Sequence, residues 1–432
     1  MKKLTLIAVA ALSLTACQND HLADSSTPFE MQSASAEYIT ASSLPVTSVS
    51  GDITSSTTWS GVVELDGIVT VKNGAKLTIQ PGTFIKAKPN AANTATGVLV
   101  ISKAGSIDAT GTESQPIIFT SYKLLDGDEN TTAAPGDFGG VIMLGNAPTN
   151  TPDTKTIEGL TGSDFYYGGT NAAHNGGTLK YVRIEFAGFD LFAPNSGNEI
   201  NGLTLGGVGN GTTLDHIQVS YGKDDSFEFF GGTVNASNLV SFAADDDNFD
   251  FDNGYTGTIT CALALADYNS THSLSGSSPD SNGIELDNNA DGSVTPLITN
   301  PVINNLTIIG AKSGISGQGS AYENGIHIRR RGKLTLNNVV VSGYPVGIKV
   351  EGTGSELSSV SNLNSIQVHG FTTSVTGTGT SGIPAANLLT GTTASSWGMS
   401  QPFFNEGPWN VSPRNCGNFQ GTWTKYNFSI QE

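Results

Sequence analysis

The 432-residue chain is poor in cysteine and in basic side chains. Its 3 cysteines are too few for a disulfide framework. Cys261 and Cys416 could pair in an oxidising compartment, but Cys261 lies inside an apolar run, so we expect it to be a buried free thiol. Lys and Arg number 20 against 38 Asp and Glu, which gives a net charge of −18. A surface this acidic repels nucleic acid and attracts cations, so the charge argues against nucleic-acid binding.

Helical periodicity and long apolar runs are also missing. Charged residues make up only 13% of the chain, whereas glycine occurs 53 times. This composition is typical of an all-β chain with many tight turns. After the N-terminal leader, no apolar run approaches the roughly 20 residues that a membrane-spanning helix needs.

The N-terminus has the organisation of an export signal, with a basic start and an apolar run over residues 4–14. The sequence that ends this run, Leu14-Thr15-Ala16-Cys17, resembles a bacterial lipobox. The resemblance implies cleavage before Cys17, acylation of its sulfur by a fatty acid such as palmitate, and a lipoprotein anchored to a membrane. Gln18 after the cysteine favours the outer membrane. The alternative is an ordinary signal peptide with an incidental cysteine.

Several stretches of the chain repeat one pattern, in which two apolar residues flank a polar residue and a Gly or Asn turn follows. Neighbouring copies lie about 22 residues apart in two places, and an internal period of this size predicts a solenoid of stacked coils. The stretches are Ser226–Gly232, Asn248–Gly254, Gly283–Asn288, Gly325–Gly332 and Gly347–Gly352. Stacking predicts one outward column formed by Glu228, Asp250, Glu285, His327 and Lys349.

The run Ala75–Ile85, in which a Pro-Gly-Thr turn precedes an apolar strand, is similar to the first coils of right-handed parallel β-helix proteins. The segments Gly139–Pro148, Ile157–Leu160 and Leu179–Gly188 resemble those of pectin-lyase-like β-helix surface lipoproteins of Gram-negative bacteria. We therefore expect an all-β, right-handed parallel β-helix (solenoid) with an aromatic-rich C-terminal cap. The expected organisation is a signal peptide over 1–16, a lipidated flexible tether over 17–50, the β-helix over 51–378, and the cap and loops over 379–432.

Acidic residues recur on the predicted outward positions and in the turns before them. Neighbouring carboxylates of one column would lie about 5 Å apart, and in a groove they would need a cation or a shared proton. Oxygen ligands without thiols or paired histidines favour Ca²⁺ over Zn²⁺. The alternative is a solvated turn rich in Asp and Asn. The expected Ca²⁺ ligands are Asp224, Asp225, Glu228, Asp245, Asp247, Asp250, Asp252, Glu285 and Asp287.

Pectate-lyase-like β-helices resemble this layout. The resemblance implies that stacked acids hold Ca²⁺, the Ca²⁺ neutralises a uronate carboxylate, and a basic residue removes the adjacent proton. The candidates for that base are His327, Arg329 and Lys349, with Arg330 beside them. The pair Asp224-Asp225 resembles the paired aspartates of polygalacturonases, although the Gly-His-Gly of that family is missing here.

A β-helix by itself implies no catalysis. The favoured hypothesis is therefore a protein that is anchored to the outer membrane, on its periplasmic or cell-surface face, and that binds Ca²⁺ and an extended anionic glycan or another surface or transport partner. A Ca²⁺-dependent polysaccharide lyase or a glycoside hydrolase is one alternative. A purely structural or adhesive surface protein is another.

Overall fold

The computed structural model describes residues 35–90, 97–189, 200–266, 273–275, 278–310, 323–391, 413–421 and 423–426. Within these ranges, no helix is both long and apolar enough to cross a membrane. The helix α1 spans Ala36–Ser42, and short 3₁₀ turns span Tyr122–Leu125, Ser163–Phe165, Leu363–Ser365, Thr380–Gly382 and Ala385–Asn387.

The remaining regular structure is β-sheet. In chain order the strands are β1 (Val46–Ile53), β2 (Thr57–Trp59), β3 (Val62–Val71), β4 (Lys76–Ile79), β5 (Phe84–Ala87), β6 (Val98–Ile101), β7 (Ser106–Thr110), β8 (Ile117–Thr120), β9 (Gly140–Leu144), β10 (Gly177–Glu185), β11 (Leu203–Gly206), β12 (Thr213–Ser220), β13 (Phe227–Phe230), β14 (Ala236–Phe242), β15 (Phe249–Asp252), β16 (Thr258–Leu265), β17 (Leu274–Ser275), β18 (Ser278–Pro279), β19 (Ile284–Leu286), β20 (Val302–Ile309), β21 (Asn324–Ile328), β22 (Lys333–Val350), β23 (Glu356–Leu357), β24 (Ile366–Thr376) and β25 (Leu388–Thr390).

The strands wind into a parallel β-helix, which confirms the predicted fold class. Among the described strands, only the small β17–β18 pair is antiparallel. The coils stack in three faces. The site face contains β6, β9, β11, β13, β15, β19, β21 and the end of β22. The flank contains β5, β8 and the second halves of β10, β12, β14, β16 and β20, and the third face contains β4, β7 and the first halves of the same long strands.

Two apolar ladders on the inner side of the site face fix the register of the coils. The rings of Phe227 and Phe249 stack with centroids 5.1 Å apart and planes at 12°. Burial of each such side chain contributes about 1.5 to 3 kcal/mol, and a shift of one residue would turn the whole set outward. The first ladder is Leu203, Phe227, Phe249, Ile284, Ile326 and Ile348, and the second is Leu205, Phe229, Phe251, Leu286, Ile328 and Val350.

Both ends of the described chain cover the outer side of the flank. Tyr38 of α1 lies in one apolar cluster with Phe419 and Trp423 of the C-terminal segment. The backbone N–H of Lys425 donates to Oε1 of Gln218 on β12 at 2.8 Å. The described part of the aromatic-rich C-terminal segment therefore lies along the side of the coils, and strands of the flank are buried on both sides.

The expectation of a free thiol at Cys261 is wrong. Cys261 lies at the bend between the two halves of β16 and forms a disulfide with Cys416, with the two Cα atoms 5.9 Å apart. Cys261 is only partly buried, and its partner lies 155 residues away in a segment whose path the sequence pattern does not indicate. Cys17, the predicted acylation site, lies outside the described residues.

The tether predicted over residues 17–50 is wrong for its last part. Residues from Ala36 form α1, and β1 begins at Val46 and pairs with β3. The hydroxyl of Tyr38 donates to Oε2 of the buried Glu185 at 2.6 Å, which ties α1 to β10. The helix escaped sequence analysis because it has 7 residues, fewer than two full helical repeats of apolar spacing.

Replacement of Cys261 and Cys416 by serine should lower the free energy of unfolding by about 2 to 4 kcal/mol, because the disulfide closes a long loop. The β-helix itself should remain, since neither ladder of the site face depends on the C-terminal segment. Chemical denaturation followed by circular dichroism measures the loss. Alkylation of either cysteine in the native, unreduced protein would contradict the disulfide.

Candidate functional site

The predicted outward column exists on the site face. Glu228 pairs in register with Asp250, and Asp250 with Glu285. His327 and then Lys349 continue the column on the next coils. Side chains that are scattered along the sequence are therefore stacked, acidic at one end and basic at the other.

A second file of residues stands just before these strands and carries hydrogen bonds from coil to coil. Oδ1 of Asp225 accepts from the backbone N–H of Asp247 at 2.9 Å, and Oδ1 of Asp247 accepts from that of Asn282 at 2.6 Å. Asn201 begins the file by accepting from the N–H of Asp225 at 3.2 Å, and Asn324 ends it by donating to Asn282 at 3.1 Å. Asp225 and Asp247 thus have a structural role that satisfies buried backbone donors.

Five carboxylates form what we call the acidic cluster. They make two triads in which the possible ligand oxygens lie within 4.8 Å of one another, and Asp225 belongs to both. The triads are Asp224, Asp225 and Asp246, and Asp225, Glu228 and Asp250. Asp225 is 7% exposed and Glu228 is 5% exposed, so the centre of the cluster is shielded from water.

Two oxygens of the acidic cluster have no hydrogen-bond donor in the described part of the chain. They are Oδ1 of Asp246 and Oδ1 of Asp250, and both atoms are enclosed although their residues are partly exposed. A buried oxygen without a donor is costly in a folded protein. A cation in each triad would satisfy these atoms, since Asp246 belongs to one triad and Asp250 to the other.

The pKa values of the acidic cluster are raised. Burial raises the pKa of Asp225 well above its usual range, with repulsion from Asp224 next, and burial followed by repulsion from Glu158 does the same for Glu228. The pKa of Asp250 is raised by burial and then by the charge of Glu285. Two like charges at about 4 Å repel by roughly 4 kcal/mol at an effective dielectric constant near 20. At neutral pH the cluster must therefore share protons or bind a cation.

The donor set of the acidic cluster fits a hard divalent cation. It offers carboxylate oxygens, and no Cys or His of the described residues belongs to either triad. Ca²⁺ takes six to eight oxygen ligands in flexible geometry and accepts waters among them, which suits a set of unevenly spaced carboxylates. The side-chain amide of Asn201 donates to Oε2 of Glu228 and orients that carboxylate toward the cluster.

The structure places the nine predicted ligands in different surroundings. Asp224, Asp225, Glu228 and Asp250 lie in the acidic cluster. Glu285 and Asp287 instead form ion pairs with Arg329, which contacts Asp287 at 3.0 Å. Oδ1 of Asp252 accepts from the N–H of Asn253 at 2.6 Å, and burial raises the pKa of Asp252 to about 6. Asp245 and Asp247 also lie outside both triads.

Asp246 belongs to the acidic cluster but was not among the predicted ligands. The run Asp245-Asp246-Asp247 carried the signal. Its three side chains differ because Asp247 accepts from the backbone of the next coil, whereas Asp246 approaches Asp224. Only the conformation of the turn decides which of the three faces the cluster.

The basic end of the column is neutralised by neighbouring carboxylates. His327 is 3% exposed, its Nε2 lies 2.9 Å from Oε2 of Glu351, and burial lowers its pKa. Nζ of Lys349 lies 2.7 Å from Glu351 and 3.5 Å from Glu323. Burial lowers the pKa of Lys349, but the hydrogen bonds and charges of Glu351 and Glu323 together outweigh burial, so the pKa is raised. Lys349 is therefore protonated at neutral pH, whereas His327 is neutral.

Comparison with known proteins identifies one family. The family model described as a pectate-lyase like beta helix domain matches residues 51–405. This range contains the whole acidic cluster and the basic end of the column. Searches of the curated proteins and of the solved structures found no significant match.

In the absence of divalent cations, the melting temperature should fall as the pH rises from about 6.5 to about 8. A carboxyl whose folded-state pKa is raised, such as Glu285 at about 8, binds its proton more tightly in the folded state, so stability is lost as the pH passes through that value. Buried histidines with lowered pKa values, such as His327, oppose this trend only below about 6.5.

Thermal melts in a chelator across this range measure the effect. Asp250→Asn removes one of the titrating carboxyls and should reduce the slope, whereas Asp128→Asn, at an exposed turn, should leave the slope unchanged. A melting temperature that stays constant or rises between pH 6.5 and 8 would contradict the raised pKa values.

Proposed function

The chain belongs to the pectate-lyase-like β-helix family, and we propose that it binds Ca²⁺ in the acidic cluster and uses the cation to hold an extended anionic glycan. The observation that most supports this proposal concerns two enclosed oxygens, one on Asp246 and one on Asp250. Neither oxygen accepts a hydrogen bond from any of the described residues. They stand among carboxylates whose ionisation is unfavourable without a positive charge. Bound cations would give these oxygens a partner and would also make ionisation of the surrounding carboxylates favourable.

An extended ligand suits the shape of the site face. The strands repeat every coil with a spacing of about 4.8 Å, so a chain molecule can lie along the column and meet equivalent positions in succession. The acidic end repels anionic groups unless a cation lies between them, which makes binding of an anionic polymer depend on Ca²⁺.

A polysaccharide lyase is the second candidate, and it requires a neutral base beside the cation. Lys349 is protonated, and Arg329 is held between Glu285 and Asp287, both of which raise its pKa against the effect of burial. His327 is neutral but almost completely buried against Glu351. These surroundings favour binding over elimination, with His327 as the residue on which an elimination reaction would depend.

We further propose that the protein is a lipoprotein held at the outer membrane by acylated Cys17. The lipobox-like sequence supports this proposal, and the first described element, α1, begins 19 positions after Cys17. In this arrangement residues 18–35 connect the anchor to the β-helix.

Addition of Ca²⁺ to chelator-treated protein should raise its stability by about 2.7 kcal/mol at a hundredfold excess over the dissociation constant. Asp225→Asn should abolish the rise, because Asp225 belongs to both triads, whereas Asp250→Asn and Glu228→Gln should reduce it, because each removes a ligand from one triad. Differential scanning calorimetry at several Ca²⁺ concentrations measures the effect. Asp252→Asn is a matched control on the same strand as Asp250, and it should retain the rise.

If the wild-type protein and Asp225→Asn respond to Ca²⁺ equally, the cation does not bind in the acidic cluster. Incubation with polygalacturonate and Ca²⁺ separates the two candidate functions. Binding without new ultraviolet absorbance from unsaturated products supports a binding protein. Appearance of that absorbance, with its loss in His327→Ala, would establish the lyase instead.

Replacement of Cys17 by serine should move the protein from the membrane fraction to the soluble fraction, because acyl chains contribute about 0.8 kcal/mol per buried methylene. Fractionation of cells and labelling with a palmitate analogue measure this. Cys416→Ser, which leaves the lipobox intact, should stay in the membrane fraction and keep the label. Membrane association that persists in Cys17→Ser would rule out the lipid anchor.

A further inference from the structure

The turn that follows β21 contains three consecutive arginines, and the last two have a left-handed backbone conformation. Arg330 has φ 47° and Arg331 has φ 72°, and the N–H of Gly332 donates to the carbonyl of Arg329 at 2.8 Å to close the turn. Two consecutive left-handed residues are normally Asn or Gly. Side chains that occupy such positions at an energetic cost are often there for a function.

The surroundings hold the side chain of Arg331 in place. Its Nε donates to the carbonyl of Gly292 at 2.8 Å, and its backbone N–H donates to Oγ of Ser355 at 2.9 Å. A Cβ atom at Gly354 would lie 2.9 Å from Nη1 of Arg331, so the glycine leaves room for the guanidinium. The guanidinium is therefore positioned before any ligand arrives.

The charge of Arg331 differs from that of its neighbours in having no counterion. Arg329 pairs with Glu285 and Asp287, and Arg330 pairs with Asp287. Within the described residues, Arg331 forms no ion pair, and its terminal nitrogens make no hydrogen bond. A guanidinium held by Nε alone presents its two terminal nitrogens as a fork for a bidentate oxyanion.

The guanidinium lines an open depression at the end of the site face. The depression is bounded by His327, the three arginines, the carboxylates of Asp291 and Glu351, and the residues Gly292, Gly352 and Thr353. It lies on the coil of β21, three coils from Glu228 and two from Asp250. At about 4.8 Å per coil, the acidic cluster and the depression are roughly 10 to 15 Å apart along the column.

We propose that Arg331 is a second, metal-independent anchor of the site, which binds an oxyanion, either a carboxylate or a sulfate ester, on a sugar several units away from the one held through Ca²⁺. This proposal rests on the proposed function and adds to it a length and a charge pattern for the ligand. The ligand must be an oligomer with at least two anionic groups separated by two to three coils. A monomer cannot reach both places.

Calorimetric titration of the full-length protein tests this proposal with an oligogalacturonate, a sulfated oligosaccharide and a neutral oligosaccharide of equal length, each in Ca²⁺. Arg331→Gln should weaken binding of an anionic probe about tenfold or more, as expected for loss of a charge-assisted pair. Arg331→Lys should recover only part of the affinity because it lacks the fork. Lys333→Gln, which removes an equal charge from the Lys333–Glu356 pair two residues away, is the matched control and should bind as wild type does.

Each outcome has a definite meaning. If Arg331→Gln loses more affinity for the oligogalacturonate, the bound group is a carboxylate. If it loses more affinity for the sulfated oligosaccharide, the group is a sulfate ester. Equal weakening in Arg331→Gln and Lys333→Gln, or equal binding of neutral and anionic probes, overturns the anchor. If Ca²⁺ still raises the melting temperature of Arg331→Gln and of wild type but no oligosaccharide binds, the anchor is wrong and cation binding stands. If Ca²⁺ has no effect either, the proposed function fails as well.

Discussion

The structure depends on the register between successive coils. Apolar ladders such as Phe227 on Phe249 set this register from inside, and the file from Asn201 to Asn324 repeats it in hydrogen bonds at the starts of the strands. With this register, residues that are 22 or more positions apart become direct neighbours. The acidic cluster, the ion pairs of Arg329 and the depression at Arg331 all follow from it.

The same register brings like charges together. Asp225 shows the compromise, because it stabilises the backbone through the N–H of Asp247 and also faces Asp224 and Glu228. A fold optimised for stability alone would alternate charges, as it does where Arg329 lies over Glu285 and Asp287. Groups of like charges that do not favour stability are expected at functional sites. The contrast between the two ends of one column supports a role for the uncompensated end.

Much of the fold could be predicted from sequence, because the period of the repeat and the alternation of apolar residues specify both ladders and the outward column. The sequence did not predict which acidic residues face the acidic cluster and which are paired with arginines. Whether Asp246 or Asp247 faces the cluster depends on one turn, and Glu285 and Asp287 are neutralised by arginines from a coil more than 40 residues later. The disulfide of Cys261 and the docking of α1 were missed because both involve segments without periodicity.

Anomalous diffraction from crystals grown with Tb³⁺, a Ca²⁺ substitute, tests the central claim most directly. The account predicts a peak among Asp225, Glu228 and Asp250, or between Asp224, Asp225 and Asp246, at distances typical of oxygen ligands. A map with no peak at the acidic cluster at neutral pH, with the carboxylates paired through shared protons, would contradict it. The stacked acids would then be a feature of the fold alone.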